Sequence, residues 1–254
     1  MIQKKLEWTI QLIGITLSNG CLGRFMNTSI LYRYFCIILI AVCSCFSGNM
    51  EENGRIQLPN VDTENESCIQ VVIHNRRSQR ELTDKPLSLE QISKLLWASG
   101  GKTVDGITGA TRAYPSAGGL YPLNFYVVAN NIAGLEDGVY KYDWKGHSLK
   151  NKRLGNRMRD IKESSFSRSL MRADISVIFV ITADYSVTAA RYSKRGTERY
   201  VPMEAGASSQ NLALKAQSMN LGSYLIGAFR DDAVISALEL GEEVPLLLIP
   251  VGHK

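Results

Sequence analysis

At 254 residues, of which 45% are hydrophobic, the chain is long enough for one globular domain and marginal for two. Its formal charge of +5 is uneven, because four of the 29 basic residues but one of the 24 acidic ones fall in the first 48 positions. The remainder is close to balance, which argues against a general nucleic-acid-binding surface; one later cysteine, Cys68, and three scattered histidines leave neither an internal disulfide nor a metal-ligand spacing.

The N-terminal part reads as an address. Tyr34 to Phe46 (YFCIILIAVCSCF) is an apolar run of 13 residues, shorter than the roughly 20 needed to span a bilayer. It follows Arg33 and ends in small residues, the layout of a secretory signal. Met26 stands where such a signal begins, so residues 1–25 are expected to come from a start placed too far upstream. The alternative is an uncleaved anchor or a buried helix. Val42-Cys43-Ser44-Cys45 also resembles a bacterial lipoprotein processing site, with Cys45 as the lipidated residue. The expected organisation is a signal over 1–47, a polar linker over 48–67 and a folded body over 68–254, delivered to a bacterial periplasm. Residues 49–67 hold few large apolar groups and read as solvated.

In the body, Arg76-Arg77-Ser78-Gln79-Arg80 places three guanidiniums and a hydroxyl in five residues. On a helix, Arg76 and Arg80 would share a face and could clamp a phosphate; the same run also suits a solvated basic turn. Ser88 and Gln91 have capping-box spacing. Leu89, Ile92, Leu95, Leu96 and Ser99 then recur at helical period until Gly100-Gly101. Arg112 to Pro122 (RAYPSAGGLYP) brackets small residues with prolines, a rigid loop able to lie against a flat ligand or an ordinary tight turn. Phe125–Ala129 is a strand, and Val139–Tyr142 with His147–Leu149 suggests a hairpin.

Ile175 to Thr182 (ISVIFVIT) reads as a central strand buried on both faces. Glu204 to Leu212 opens a small-residue helix marked by Ala205, Leu212, Ala216 and Met219, with Gly222 suited to its C-terminal turn. Ile226-Gly227 offers exposed backbone before a helix over Asp231–Leu240, and Val244–Val251 is the last strand. Strand and helix do not alternate cleanly, so an α+β domain with a mixed or mainly antiparallel sheet is expected.

In order, RRSxR, PLSLEQISKLLWASGG, PSAGGLYPL, EAGxxxQNLxLxA, IGAF and a final PVG resemble the nitroreductase family. The PSAGGLYPL segment is most similar to its azoline (thiazole/oxazole) dehydrogenase branch. The resemblance implies a three-layer α-β-α sandwich, dimeric, with FMN at the subunit interface. By it, Arg76, Arg77, Ser78 and Arg80 hold the FMN phosphate, ribityl chain and pyrimidine edge. Pro115, Ser116, Ala117 and Gly118 line the isoalloxazine ring, and Ile226 and Gly227 approach its other side through the backbone. Reduced nicotinamide, NAD(P)H, stacks on the flavin and hydride passes to a small organic acceptor.

The branch uses a Lys-Tyr pair for proton transfer, where this chain has Arg199-Tyr200, and it often has histidine at the position of Ala207. An arginine stays protonated and is a poor general base, which leaves Tyr200 as the catalytic candidate. Alternative readings are a flavin-dependent dehydrogenase of azoline-type or other peptide-derived substrates, and a flavin-binding protein without turnover. The N-terminal reading is tested by sequencing the mature protein from its native host. The sequence is expected to begin near residue 48, whereas an intact Met1 or Met26 in soluble cytoplasmic protein would contradict it.

Overall fold

The computed structural model describes residues 55–60, 69–105 and 109–254. The expected signal, Cys45 and most of the linker lie outside these residues. In chain order the elements are β1 (Arg55–Gln57), α1 (Ile69–Asn75), β2 (Leu87–Ser88), α2 (Leu89–Gly100), β3 (Lys102–Asp105), β4 (Gly109–Arg112), β5 (Leu123–Ala129), β6 (Ile132–Ala133), β7 (Gly138–Asp143) and β8 (Ser148–Leu154). There follow α3 (Met158–Ser164), α4 (Arg168–Arg172), β9 (Val177–Ala183), α5 (Tyr185–Arg195), a π-helical turn (Gly196–Tyr200), α6 (Val201–Ser218), β10 (Leu221–Ser223), α7 (Asp231–Leu238) and β11 (Val244–His253).

Seven strands form one antiparallel sheet in the order β1-β8-β7-β5-β9-β11-β10. Its two central strands are apolar on both sides, and the pleat sends alternate residues to opposite faces. From β9, Val177, Phe179, Ile181 and Ala183 join one core with α2 (Ile92, Leu95, Leu96) and α6 (Ala205, Leu212, Ala216). Ile178 and Val180 join the other, with α3 (Met158, Ile161), Leu170 of α4 and α7 (Val234, Leu238). The three layers expected from the resemblance are therefore present. Among the described residues no helix is long and apolar enough to cross a membrane.

Local signals account for several boundaries. Ser88 Oγ accepts from Gln91 N at 3.2 Å while Ser88 N donates to Gln91 Oε1 at 2.9 Å, the reciprocal capping box at the start of α2. Gly100, at its end, is required by packing, since a Cβ there would lie 2.3 Å from Phe125 Cε2. The hairpin of β7 and β8 is longer than its sequence suggests. His147 near its turn accepts or donates through both ring nitrogens, 2.7 Å from Tyr142 Oη and 2.8 Å from Ser93 Oγ.

One open reading is decided and two expectations are corrected. Arg76 to Arg80 is not helical: α1 ends at Asn75, and the chain then runs extended, with Ser78 paired in parallel to Ser223 of β10. A sheet edge with free backbone groups was available to it, and the register satisfies Gln79 N on Ser223 O at 3.0 Å. Gly222 is not a helix terminator: α6 ends at Ser218, and Asn220 makes the turn at φ +56°. Gly222 lies within β10, where a Cβ would sit 2.5 Å from Leu82 Cδ2, so glycine there admits the incoming chain. Finally, within the stretch read as a solvated linker, Arg55–Gln57 pairs with β8 and Leu58 is buried.

Candidate functional site

The sequence candidates separate into two groups. One lies around the loop between β4 and β5. Gly118 and Gly119 have φ of +64° and +67°, and Tyr121 has +52°, a left-handed path that glycine takes at no steric cost. Four side chains hold this path. At the base, Arg112 Nη1 donates to Leu123 O at 2.9 Å and Nε to Gly100 O at 2.8 Å. Its guanidinium is 5% exposed and lies over the rings of Tyr114, Tyr121, Phe125 and Trp144 at 5.0 to 6.0 Å from their centroids. At the flank, Asn211 of α6 donates to Ala113 O at 2.7 Å. At the tip, Glu204 Oε1 on the first turn of α6 accepts from Ala117 N at 2.9 Å, and Ser116 Oγ accepts from Tyr121 N at 2.8 Å.

Between loop and helix is a cavity of about 450 Å³ lined by Pro115, Ser116, Ala117, Tyr200, Met203, Glu204 and Ala207. Tyr200 closes the π-helical turn, a form that recurs at functional sites. Its ring meets Tyr192 edge to face at 5.0 Å, and its hydroxyl accepts from Arg195 Nε at 3.0 Å. Glu204 is 5% exposed, and its Oε2 has no partner. Burial pushes its carboxyl above the ordinary 4.5, and the Ala117 amide, Ser116 and Arg112 oppose that shift.

The second group follows the edge strand of the sheet. Ser78 and Arg80 are exposed, and the Arg80 guanidinium lies 5.7 Å from the Tyr224 ring centroid. Neither Arg76 nor Arg80 meets a carboxylate among the described residues. Arg77 turns back on α1, where its Nη1 donates to His74 O at 2.6 Å and Arg76 O at 2.8 Å. Ile226 exchanges both backbone hydrogen bonds with Leu248 at 2.9 Å, so its peptide groups belong to the sheet. Gly227, just beyond, is exposed, with open space where a Cβ would be.

Within one chain the loop and the Ser78 segment lie apart, with Ile226 between them, opposite Leu248 and the middle of β9. The loop precedes Leu123, which pairs with Ala183, itself opposite Val244. Ser78 sits beside Ser223, opposite Val251, which faces Val177 and so Ala129. These are opposite ends of the central strands, separated by roughly 20 Å at ~3.3 Å per residue. The length of α6 gives a similar figure, since Glu204 is on its first turn and β10 follows its last.

Residues 73–253 match the nitroreductase family. The chain belongs to that family. A nitroreductase-type protein of Methanocaldococcus jannaschii is 36% identical over 208 residues, covering 81% of this chain and 99% of that protein. A crystal structure of a nitroreductase-type protein from Ralstonia eutropha JMP134 superposes with a TM-score of 0.68 at 27% identity, covering 79% of this chain and 89% of that one. The microcin synthetase McbBCD complex of E. coli, solved with truncated pro-MccB17 bound, shares the fold at a TM-score of 0.60 and 20% identity, covering 98% of this chain and 92% of that one.

In this nitroreductase-family chain the sequence did not single out Arg112, Asn211 or Glu204 as site residues, although Glu204 stood in a quoted motif. An arginine or acid beside small residues resembles any surface charge until packing shows it buried. A raised folded-state value means that the neutral carboxyl of Glu204 favours the fold, and that this contribution is lost as pH rises through the shifted value. Wild-type Tm measured against Glu204→Gln should therefore fall progressively as pH rises above 4.5. A pH-independent difference would contradict the burial of this acid.

Proposed function

We propose that the protein is an FMN-dependent oxidoreductase, passing hydride from NAD(P)H through flavin to a small organic acceptor, and that two copies of the chain build each flavin site. The observation that carries this reading is the separation just described. An arginine-rich edge and a small-residue cavity, each suited to one end of a flavin nucleotide, lie at opposite ends of the central strands of one chain, which supports drawing them from two copies. In this reading a second copy, related by two-fold symmetry, brings the edge of one beside the loop of the other.

The residues fit the cofactor. Arg76 and Arg80 offer guanidiniums with no carboxylate partner among the described residues, beside the exposed Ser78 hydroxyl. That donor set suits a phosphate dianion. Arg77, engaged with α1, positions this segment. Pro115, Ser116, Ala117 and Gly118 give a wall with little side-chain bulk, and Gly227 leaves backbone open to the ring's other side. Bound flavin supplies hydride transfer, and the protein supplies position and exclusion of water. Glu204 fixes the loop through Ala117, while Met203 and Ala207 close the apolar wall. Tyr200 accepts its hydrogen bond from Arg195, which leaves the phenolic proton free to be donated into the cavity. The same tyrosine favours a second reading, a flavin-dependent dehydrogenase of peptide-derived substrates, but its neighbour Arg199 lacks a basic lone pair for proton abstraction. The expected export of the body, with the optional lipid at Cys45, remains part of this proposal.

The cofactor assignment is tested at Arg80. A charge-assisted contact is worth about 1.5–3 kcal/mol, so Arg80→Ala should weaken FMN binding by roughly ten- to a hundredfold. The exposed side chain leaves the core intact, and circular dichroism should be unchanged. Riboflavin, without a phosphate, should bind both proteins weakly and nearly equally. Fluorescence titration giving equal FMN affinity in the two folded proteins would return the arginines to the role of surface charge.

A further inference from the structure

The segment over 184–200, between the last residue of β9 and the start of α6, adjoins the cavity through Tyr200 and carries a net positive charge. It holds Arg191, Lys194, Arg195 and Arg199 against two acids, Asp184, which caps α5, and Glu198, which pairs with Lys194 at 3.3 Å. Arg191, Arg195 and Arg199 are exposed and meet no carboxylate among the described residues. Two of these are held in place. Arg191 lies over Tyr192 at 5.4 Å and Arg195 over Tyr200 at 5.9 Å, while the two rings pack against each other. Arg191 reaches the loop, and Arg195 meets the site through Tyr200, whose hydroxyl accepts from its Nε at 3.0 Å. A Cβ built at Gly118 would be 2.7 Å from Tyr192 Oη and 2.9 Å from Arg191 Nη1, and Tyr200 lines the cavity.

The wall below is apolar and flat, from Pro115, Ala117, Met203, Ala207 and the Tyr200 ring. Its one acid, Glu204, is 5% exposed and turned onto Ala117 N, with the buried Arg112 guanidinium near it. A planar group entering this space, on that wall or on a flavin ring held against it, has the Arg191 guanidinium beside Gly118 and the Arg195 guanidinium over the Tyr200 ring as its nearby cations. Exposed guanidiniums stacked on aromatic rings lose less freedom on engaging an anion than free side chains do. We propose that the cavity selects aromatic ligands that carry a negative charge, a carboxylate or a phosphate, with Arg191 and Arg195 as the specificity-determining residues. This rests on the reading of the cavity as the reaction pocket.

Ligand-observed NMR titration of benzoate and benzamide tests the selection without turnover, with flavin content recorded for each preparation. Wild type should prefer benzoate, by up to about fivefold for each guanidinium engaged. The preference should fade as the screening length falls from about 30 Å at 0.01 M salt to about 3 Å at 1 M. Arg191→Gln combined with Arg195→Gln should abolish it. Equal affinity for acid and amide in wild type at low salt overturns the proposal, whether or not flavin is bound. A salt-sensitive preference in a flavin-free protein upholds it while the cofactor assignment fails. In the flavin-loaded enzyme, kcat/KM for 4-nitrobenzoate against 4-nitrobenzamide, and for NADPH against NADH, separates an acceptor carboxylate from a donor phosphate as the recognised anion. Ratios near one in both pairs, unchanged in the double variant, also overturn it.

Discussion

A single buried guanidinium fixes the geometry on which the candidate site depends. Arg112 closes the base of the loop that follows it, because its bond to Leu123 O joins the loop's entry to its exit while its bond to Gly100 O ties both to the end of α2. A lysine could not make both contacts with one planar fork, nor lie among four aromatic rings at similar cost. Gly100 is part of the same arrangement, since a Cβ there would be 2.7 Å from Arg112 Nη2. With base and tip both held, the left-handed residues Gly118, Gly119 and Tyr121 have little freedom to relax. That rigidity is what a loop needs to face a flat ligand at close range without collapsing into the cavity.

The long helix α6 relates this loop to the rest of the molecule. Its first turn holds Glu204 and part of the cavity wall, its middle supplies Asn211, and its C-terminal end leads directly into the edge strand β10. The arginine segment then pairs with that edge. Helix and sheet thus hold loop and edge at a fixed separation. If two copies build each site, as proposed, flavin binding and assembly are thermodynamically linked. Orientation matters as much as distance. Near the edge strand, Arg80 and Gly227 are exposed, whereas Ile226 is locked into the sheet by Leu248. Of the IGAF motif, the glycine is therefore the residue with backbone available to a ligand.

Much of the fold was legible because its signals are local. The uninterrupted apolar run of β9, the capping box at Ser88 and the hairpin around His147 each report short-range physics, and each is where the sequence put it. The α+β class and three layers followed from them and from the ordered motifs. The errors came from long-range packing. Gly222 has the composition of a helix stop, but Leu82 and Gln79 arrive from far along the chain to require glycine in a strand. Arg76 to Arg80 has helical spacing, but an open sheet edge captured it. Glu204 and Arg112 were visible as residue types, whereas their burial and partners, which make them important, appear only in three dimensions.

The central claim, that each site draws its arginines from one copy and its loop from another, is tested by mixing two defective proteins. Arg80→Ala removes a phosphate contact. Gly118→Val blocks the loop, because a side chain there has φ +64° and a Cβ 2.7 Å from Tyr192 Oη. Each variant alone should retain little FMN under dialysis. In dimers containing one copy of each, isolated by paired affinity tags, one site carries both defects and the other carries none. The account predicts about one tightly bound FMN per mixed dimer, with the affinity of wild type. Mixed dimers that bind FMN no better than their parents would show that edge and loop of the same chain serve one site, and would contradict the account.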